Sequence, residues 1–285
     1  MRSFLLACLL AINLVATNAA NGAEYQLAIN TPTNEDHFQK YIALGAYLSD
    51  ETGHTIVPVS MPPSRIGRVF EMGNVLMAIM NPVSSVEVVE KNRAKPIATL
   101  KIGGLTKFAG VIFAKKGAGI QSIKDVKGKN VLAYQPSSAG GYVFQAYYLL
   151  SNGIDLKKDL ASLRHTSSQN NVVAAVQSGR IDVGFVRTGL LETMAKEGKI
   201  KLDEFVIIDK KTDDIPLLHS TPPYPEWFFL VSGKLDAGTI EKLRAALLKL
   251  KPDHPAAKAA GIDGFVKPLP LGGVRNALNA VKPSP

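Results

Sequence analysis

Short apolar segments of β type alternate with amphipathic helical segments along this chain, and that order limits the fold more than any other feature. The first series has strand-like segments at 25–30, 55–60 and 76–80 and helical segments at 36–50, 63–72 and 83–92. A second series has strand-like segments at 130–134, 163–166, 181–186 and 204–208 and helical segments at 141–152, 169–178 and 190–197. Such alternation is typical of βαβ units around largely parallel sheets.

Two further apolar segments stand between and after the two series. Phe108–Lys115 leads into a glycine-containing turn, and Trp227–Ser232 leads through Gly233 into a last amphipathic helix, Ala237–Leu250. We interpret these two segments as the places where the chain crosses from one lobe to the other. Two crossings predict that one lobe is inserted into the other, with lobe I at 24–109 and 229–285 and lobe II at 110–228. The predicted fold class is α/β, with two lobes, each a mixed sheet flanked by helices, joined by two hinge crossings.

Residues 1–23 have the pattern of a secretory signal peptide. Arg2 precedes an apolar run from Phe4 to Ala16, and small residues follow. The alternatives are an uncleaved anchor, for which the run is shorter than the roughly 20 residues that span a bilayer, and a lipoprotein signal around Cys8. We therefore expect a cleaved signal peptide and a periplasmic mature chain.

The mature chain would have no cysteine and an excess of positive charge. Cys8 is the only cysteine of the 285 residues, and without Arg2 there remain 32 basic and 24 acidic residues. The basic residues are dispersed and are not interleaved with aromatics, which argues against nucleic acid as a partner. The excess is either a solvated surface or a means of attracting small anions.

The strongest candidate for a binding loop follows the strand that ends at Tyr134. In open α/β sheets, ligands bind beyond the carboxyl ends of strands, where amides at helix N-termini cradle anions. Here the sequence is Pro-Ser-Ser-Ala-Gly-Gly, and its candidate contacts are Ser137, Ser138, Ala139 and Gly140. The structural alternative is an ordinary helix N-cap followed by a flexible turn.

The next two strand ends carry similar groups. His165 and Ser167 lie in a loop rich in hydroxyl and amide groups, where Ser168 would serve equally well as a plain N-cap. Arg187 follows the strand 181–186, and its guanidinium can hold an oxyanion through two parallel hydrogen bonds. The alternative for Arg187 is a salt bridge to Glu192 or to the opposite lobe.

Three more segments are candidates with an even balance between structural and ligand roles. Thr31 and Asn81 each follow a first-lobe strand and precede a proline, which also starts helices for conformational reasons. Tyr224 belongs to the proline-rich and aromatic segment 219–227, which would form either a wall of the ligand site or a brace for the hinge.

The sequence has no pattern typical of an enzyme. A Gly-x-Ser-x-Gly elbow, a phosphate-binding Gly-x-x-x-x-Gly-Lys loop and histidine pairs at zinc spacing are all absent. We therefore predict no catalytic residue, no metal and no cofactor, and keep an enzyme acting on phosphate or sulfur esters only as a remote alternative.

Several of these segments resemble a known family. Residues 126–131 and 136–141 are similar to the phosphate, phosphite and phosphonate binding proteins of ABC transporters, which have the type 2 periplasmic-binding fold. Residues 172–176, 179–184 and 186–188 and the segments around Leu218–Thr221 and Tyr224–Trp227 look like the sensor modules of tetrathionate-type histidine kinases. One departure is that Gly73 is followed by Asn74, Val75 and Leu76, where the family has an acidic residue.

The resemblance implies a bilobed, monomeric receptor whose 137–140 loop and Arg187 contact an oxyanion. It leaves two uses open. One is delivery of a phosphonate-like, phosphate-like or sulfur oxyanion to an ABC permease, and the other is a sensing or accessory role beside a membrane histidine kinase or respiratory system. The fold serves either use.

Overall fold

The computed structural model describes residues 22–30, 38–92 and 94–282, so residues 1–21 of the predicted signal peptide and Thr31 lie outside the described residues. The strands are β1 (Glu24–Asn30), β2 (Thr55–Met61), β3 (Met77–Met80), β4 (Lys95–Lys101), β5 (Lys107–Phe108), β6 (Gly110–Lys115), β7 (Asn130–Ala133), β8 (Ser162–His165), β9 (Val183–Arg187), β10 (Phe205–Ile207), β11 (Tyr224–Pro225), β12 (Phe228–Val231) and β13 (Gly264–Val266). The α-helices are α1 (Ile42–Thr52), α2 (Pro63–Met72), α3 (Pro82–Asn92), α4 (Phe144–Ser151), α5 (Gln169–Gln177), α6 (Leu190–Lys196), α7 (Ala237–Lys249), α8 (Pro255–Ala260) and α9 (Gly272–Val281).

The strands form two mixed sheets, each flanked by helices, as the predicted fold class requires. The six-stranded sheet has the order β13-β4-β12-β3-β1-β2, with β1 parallel to β2 and β3 and with β12 antiparallel to β3. The five-stranded sheet has the order β10-β6-β9-β7-β8, with β7 parallel to β8 and β9 and with β6 antiparallel to β9. Strands β1, β2 and β3 are therefore parallel in the first sheet and β7, β8 and β9 are parallel in the second, so within each set the carboxyl ends share one edge.

The chain passes twice between the two sheets, and the two passes pair with each other. Strands β5 and β11 form a two-stranded antiparallel ribbon in which Tyr224 is opposite Phe108 and Pro225 is opposite Lys107. This ribbon belongs to neither large sheet, so it does not fix where one lobe ends and the other begins. The division into lobes at 109–110 and 228–229 therefore stays a proposal.

Both faces of each large sheet are covered, which explains why the central strands are almost continuously apolar. In β1, Leu27 and Ile29 pack against α1 and α7, whereas Ala28 packs on the opposite face against α2. In β6, Ile112 and Val111 divide in the same way between two buried clusters.

Some predicted elements differ from the structure. The segment 108–115 is two strands, because the chain leaves the ribbon at Phe108 and enters the five-stranded sheet at Gly110. The helix at 237 is followed by α8, β13 and α9, so it is not the last one. Within the described part of the chain, no helix is both long and apolar enough to cross a membrane.

Candidate anion-binding cavity

A cavity of about 680 Å³ lies where the carboxyl ends of parallel strands from both sheets meet. From the six-stranded sheet, Asn30 ends β1, Pro62 follows β2 and Asn81 follows β3. From the five-stranded sheet, Tyr134 follows β7 and Arg187 ends β9. The strand order thus positions the loops of both sheets around one space, which is the usual position of a ligand in α/β proteins.

Most of the residues predicted to bind a ligand line this cavity. They are Asn81, Tyr134, Ser137, Ser138, Ala139, Gly140, Ser167 and Arg187. The prediction for Ser137, Ser138 and Arg187 required these residues to meet at one groove, and the structure brings them to one. Whether each of them contacts a ligand stays a prediction.

The loop before α4 is shaped by close contacts within the protein. The hydroxyl oxygen of Ser138 accepts a hydrogen bond from the Gly141 backbone N–H at 3.2 Å, and residues 139–143 form a π-helical turn that continues into α4. A Cβ on Gly140 would lie 2.6 Å from the Phe108 ring, and one on Gly141 would lie 2.8 Å from the Ser138 hydroxyl. Packing against the protein is therefore enough to require these glycines.

The helix α5 presents an N-terminus to the same cavity. Its N-cap residue, Ser168, makes no side-chain capping hydrogen bond, so the first N–H groups of α5 have no side-chain acceptor from the cap. Ser167, Ser168, Gln169 and Asn170 all line the cavity. The Gln169 side chain accepts a hydrogen bond from the Arg187 backbone N–H at 2.7 Å, which ties this N-terminus to the end of β9.

The guanidinium of Arg187 lies over the Phe108 ring, 4.2 Å from its centroid, and donates from Nη2 to Oε1 of Glu226. The Arg187 side chain is 30% exposed, whereas that of Glu226 is 2% exposed. Burial raises the pKa of Glu226 above its ordinary value, and the Arg187 charge opposes that rise. The salt bridge suggested for Glu192 is wrong, because one Glu192 oxygen accepts from the Leu218 backbone N–H instead.

The wall from the first sheet is a network of neutral amides. Asn81 donates from Nδ2 to Oδ1 of Asn30 at 2.9 Å and to the Ser84 hydroxyl at 3.0 Å, while its own Oδ1 accepts from the Ser84 backbone N–H. Because the Asn30 oxygen is engaged in this way, its amino group is the part of the amide able to donate elsewhere. This wall can therefore offer hydrogen-bond donors without adding charge.

Two predicted residues lie away from the cavity. Tyr224 is 7% exposed and stacks on Phe144 with ring centroids 3.9 Å apart, so it packs the ribbon of β5 and β11 against α4. His165 lines a separate, larger cavity of about 920 Å³, which touches the first one at Ser137, and its Nδ1 lies 2.6 Å from the Tyr134 carbonyl oxygen. The rule that ligands bind beyond the carboxyl ends of strands does not distinguish between these two neighbouring cavities.

Several cavity residues were not predicted as ligand contacts. They are Asn30, Pro62, Pro63, Phe108, Gln135, Ser168, Gln169, Asn170, Leu190 and Trp227. Asn30 ends a strand as Asn81 follows one, so the same rule applied to β1 would have found it. Phe108 and Trp227 lie in the crossing segments, and no local pattern indicates which way their rings face.

The residues present do not suggest a metal site. Among residues 22–30, 38–92 and 94–282, no group of three or more His, Cys, Asp or Glu side chains is placed to hold a metal ion. The polar groups of the described residues along the cavity are hydroxyls, amides, backbone N–H groups and one guanidinium, which suit an oxyanion, and the remaining lining is apolar or aromatic.

A family model described as the periplasmic substrate-binding protein of a phosphonate ABC transporter matches residues 28–270. Solved structures share the fold at low sequence identity. A Xanthomonas citri protein solved bound to ATP superposes with a TM-score of 0.75 at 21% identity, over 90% of this chain and 95% of that one. PhnD1 from Prochlorococcus marinus, in complex with methylphosphonate, superposes with a TM-score of 0.70 at 16% identity, over 90% and 98%.

A phosphonate-transporter binding protein from Pseudomonas aeruginosa also superposes, with a TM-score of 0.68 at 17% identity, over 87% of this chain and 82% of that one. A curated relative, the tetrathionate sensor histidine kinase TtrS of Salmonella typhimurium, is 26% identical over 210 residues. That match covers 72% of this chain and 35% of the kinase, so the chain spans about a third of the relative's length.

Proposed function

We propose that this chain, which belongs to the family of periplasmic substrate-binding proteins of phosphonate ABC transporters, captures a small oxyanion in the 680 Å³ cavity and delivers it to an ABC permease. The candidate ligands are phosphonate-like or phosphate-like anions and sulfur oxyanions. The protein acts as a monomeric receptor and not as an enzyme, after removal of residues 1–23 in the periplasm.

The observation that carries this proposal is the convergence of three cationic or partly positive groups on one space. The turn after Ser138, the N-terminus of α5 and the Arg187 guanidinium all border the cavity. Helix N-termini favour anions by about 0.3–1 kcal/mol each at exposed sites, and hydrogen bonds between charged groups are about twice as strong as neutral ones. No carboxylate is among the residues lining the cavity in the described part of the chain.

A thermal-shift and calorimetric screen of the purified mature chain tests the proposal. The probes are methylphosphonate, phosphate, sulfate, thiosulfate and tetrathionate, with a neutral sugar and a divalent cation as negative controls. A ligand at a hundred times its Kd stabilises the folded state by about 2.7 kcal/mol. Stabilisation by at least one oxyanion is the expected result, and stabilisation by the sugar or the cation alone would contradict the ligand class.

Two variants test whether the anion binds in this cavity. Ser138→Ala removes a hydroxyl at the cavity, whereas Ser162→Ala removes one from β8 that binds the Asn130 side chain outside it. We expect Ser138→Ala to weaken the selected anion roughly tenfold, about 1.4 kcal/mol, and Ser162→Ala to leave its affinity unchanged. Equal affinities in the two variants would place the anion elsewhere.

A sensing role is the second candidate, because a curated relative is a sensor histidine kinase. Deleting the gene in its own organism separates the two uses. Loss of anion uptake with an intact transcriptional response supports delivery, whereas normal uptake with a lost response supports sensing beside a membrane kinase. Intact mass and light scattering of the exported protein test the cleavage near residue 23 and the monomeric state.

A further inference from the structure

We propose that Glu226 sets the charge selectivity of the cavity by neutralising Arg187, so that the site favours singly charged oxyanions over doubly charged oxyanions of the same shape. This inference rests on the proposed anion-binding function and deepens it. It concerns a residue that does not line the cavity but contacts Arg187, which does.

The first support is the geometry of the pair. Arg187 borders the cavity, and its Nη2 donates to Glu226 Oε1 on the side away from it, since Glu226 is not among the cavity-lining residues. The Glu226 carboxylate is almost completely buried, and its other oxygen, Oε2, has no hydrogen-bond partner in the structure. The Arg187 guanidinium favours the ionised form of Glu226, and in that form the carboxylate is a buried negative charge that solvent screens little.

The second support is the anchoring of Glu226. Its backbone N–H donates to the Thr106 carbonyl at 2.9 Å, and the preceding residue, Pro225, pairs with Lys107 in the hinge ribbon. The carboxylate is thus attached to the paired strands β5 and β11, and it accepts from Nη2, one of several donor groups of the guanidinium. A ligand and Glu226 would share that guanidinium.

The third support is that the titratable group next to the pair in the described part of the chain is uncharged. Tyr41 is the neighbouring titratable group, and burial raises its pKa to about 12, so it is a neutral phenol at working pH. Arg187 and Glu226 together therefore contribute a net charge near zero. Each added negative charge on a ligand gains attraction from the guanidinium and incurs repulsion from the buried carboxylate, which removes most of the advantage of a dianion.

An isosteric pair of ligands isolates this effect. Methanesulfonate and methylphosphonate have the same tetrahedral shape, and at about pH 9 the first is singly charged and the second predominantly doubly charged. Calorimetry gives the ratio of their affinities for the native chain and for Glu226→Gln, which keeps an acceptor oxygen for Arg187 and removes only the charge. Glu241→Gln is the matched control, because Glu241 accepts from Arg244 on α7, away from the cavity.

We expect Glu226→Gln to raise the affinity for methylphosphonate roughly tenfold and that for methanesulfonate roughly threefold, since the dianion carries twice the charge. Glu241→Gln should leave the ratio unchanged. An unchanged ratio in Glu226→Gln overturns the inference while leaving anion binding intact. Failure of the native chain to bind any anion in the earlier screen would instead overturn the proposed function.

A second measurement uses the native chain alone, so it does not depend on whether a variant folds. It should bind methanesulfonate at least as tightly as methylphosphonate at about pH 9. A tighter affinity for methylphosphonate than for methanesulfonate would contradict the inference.

Discussion

Gln145, fully buried at the start of α4, donates from Nε2 to the carbonyl oxygen of Gly140 at 2.7 Å. The same amide nitrogen also reaches the Val186 carbonyl of β9 at 2.9 Å. Gly110 gives this side chain its room, because a Cβ there would lie 2.4 Å from Gln145 Cδ. One buried amide thus joins the proposed anion loop to the sheet that carries Arg187.

Replacing Gln145 should therefore loosen the loop. We expect Gln145→Leu to lower the free energy of unfolding by about 1–3 kcal/mol, since buried carbonyls lose their donor, and to weaken the anion roughly tenfold. Gln145→Glu should be worse on both counts, because it places a negative charge against those carbonyls. Urea titrations and calorimetry check this, and normal affinity in both variants would show that the loop holds its shape unaided.

A single and a double variant of the Arg187–Glu226 pair should separate the loss of anion binding from the loss of stability. We expect Arg187→Ala to abolish anion binding and to lower the free energy of unfolding by about 3–5 kcal/mol, because Glu226 would be left buried without its cation. The double variant Arg187→Ala/Glu226→Gln should recover most of the stability but none of the binding. Anion affinity retained in either variant would remove Arg187 from the site.

Two variants of Tyr224 test whether its side chain contacts the ligand or only packs behind the cavity. Tyr224→Phe should leave anion affinity within about twofold of the native value, because the hydroxyl does not line the cavity. Tyr224→Ala should lower the free energy of unfolding by about 3–5 kcal/mol through loss of the stack on Phe144. A tenfold loss of affinity in Tyr224→Phe would restore the original prediction that it contacts the ligand.

Asp125 should make stability depend on pH. Hydrogen bonds from the Gln121 backbone N–H, the Ser122 backbone N–H and the Ser122 hydroxyl lower its pKa below the ordinary 3.8. The stability from these bonds is present above about pH 3.8 and is lost as pH falls through the lowered pKa. The difference in unfolding free energy between native chain and Asp125→Ala should shrink from pH 7 to pH 2, and a constant difference would contradict this.

Elements with a local signal could be predicted closely. The bounds of α2, Pro63–Met72, agree with the segment predicted from its apolar spacing and starting proline. By contrast, β4 and β13 were missed. Strand β4 has lysines at both ends and Pro96 inside, and it is stabilised by pairing with β12 and β13, which lie far away in the chain.

The same contrast holds for the cavity. Ser137, Ser138 and Arg187 follow strands, so the rule for α/β sheets brings them to one edge without knowledge of the packing. The partnership of Arg187 with Glu226 and Phe108 depends on how the two crossings lie against each other. No periodicity in one sequence specifies such a contact, although the prolines and aromatic residues of 219–227 predicted that this segment forms either a wall of the ligand site or a brace for the hinge.

The ribbon of β5 and β11 has a mechanical consequence. Because the two passes between the sheets are hydrogen-bonded to each other, they behave as a single pivot and not as two separate tethers. Rotation about such a pivot would keep the pairing, whereas sliding one half past the other would break it. Ligand binding would then change one angle, the angle between the two halves. A membrane protein that contacts both halves could detect binding from that angle alone.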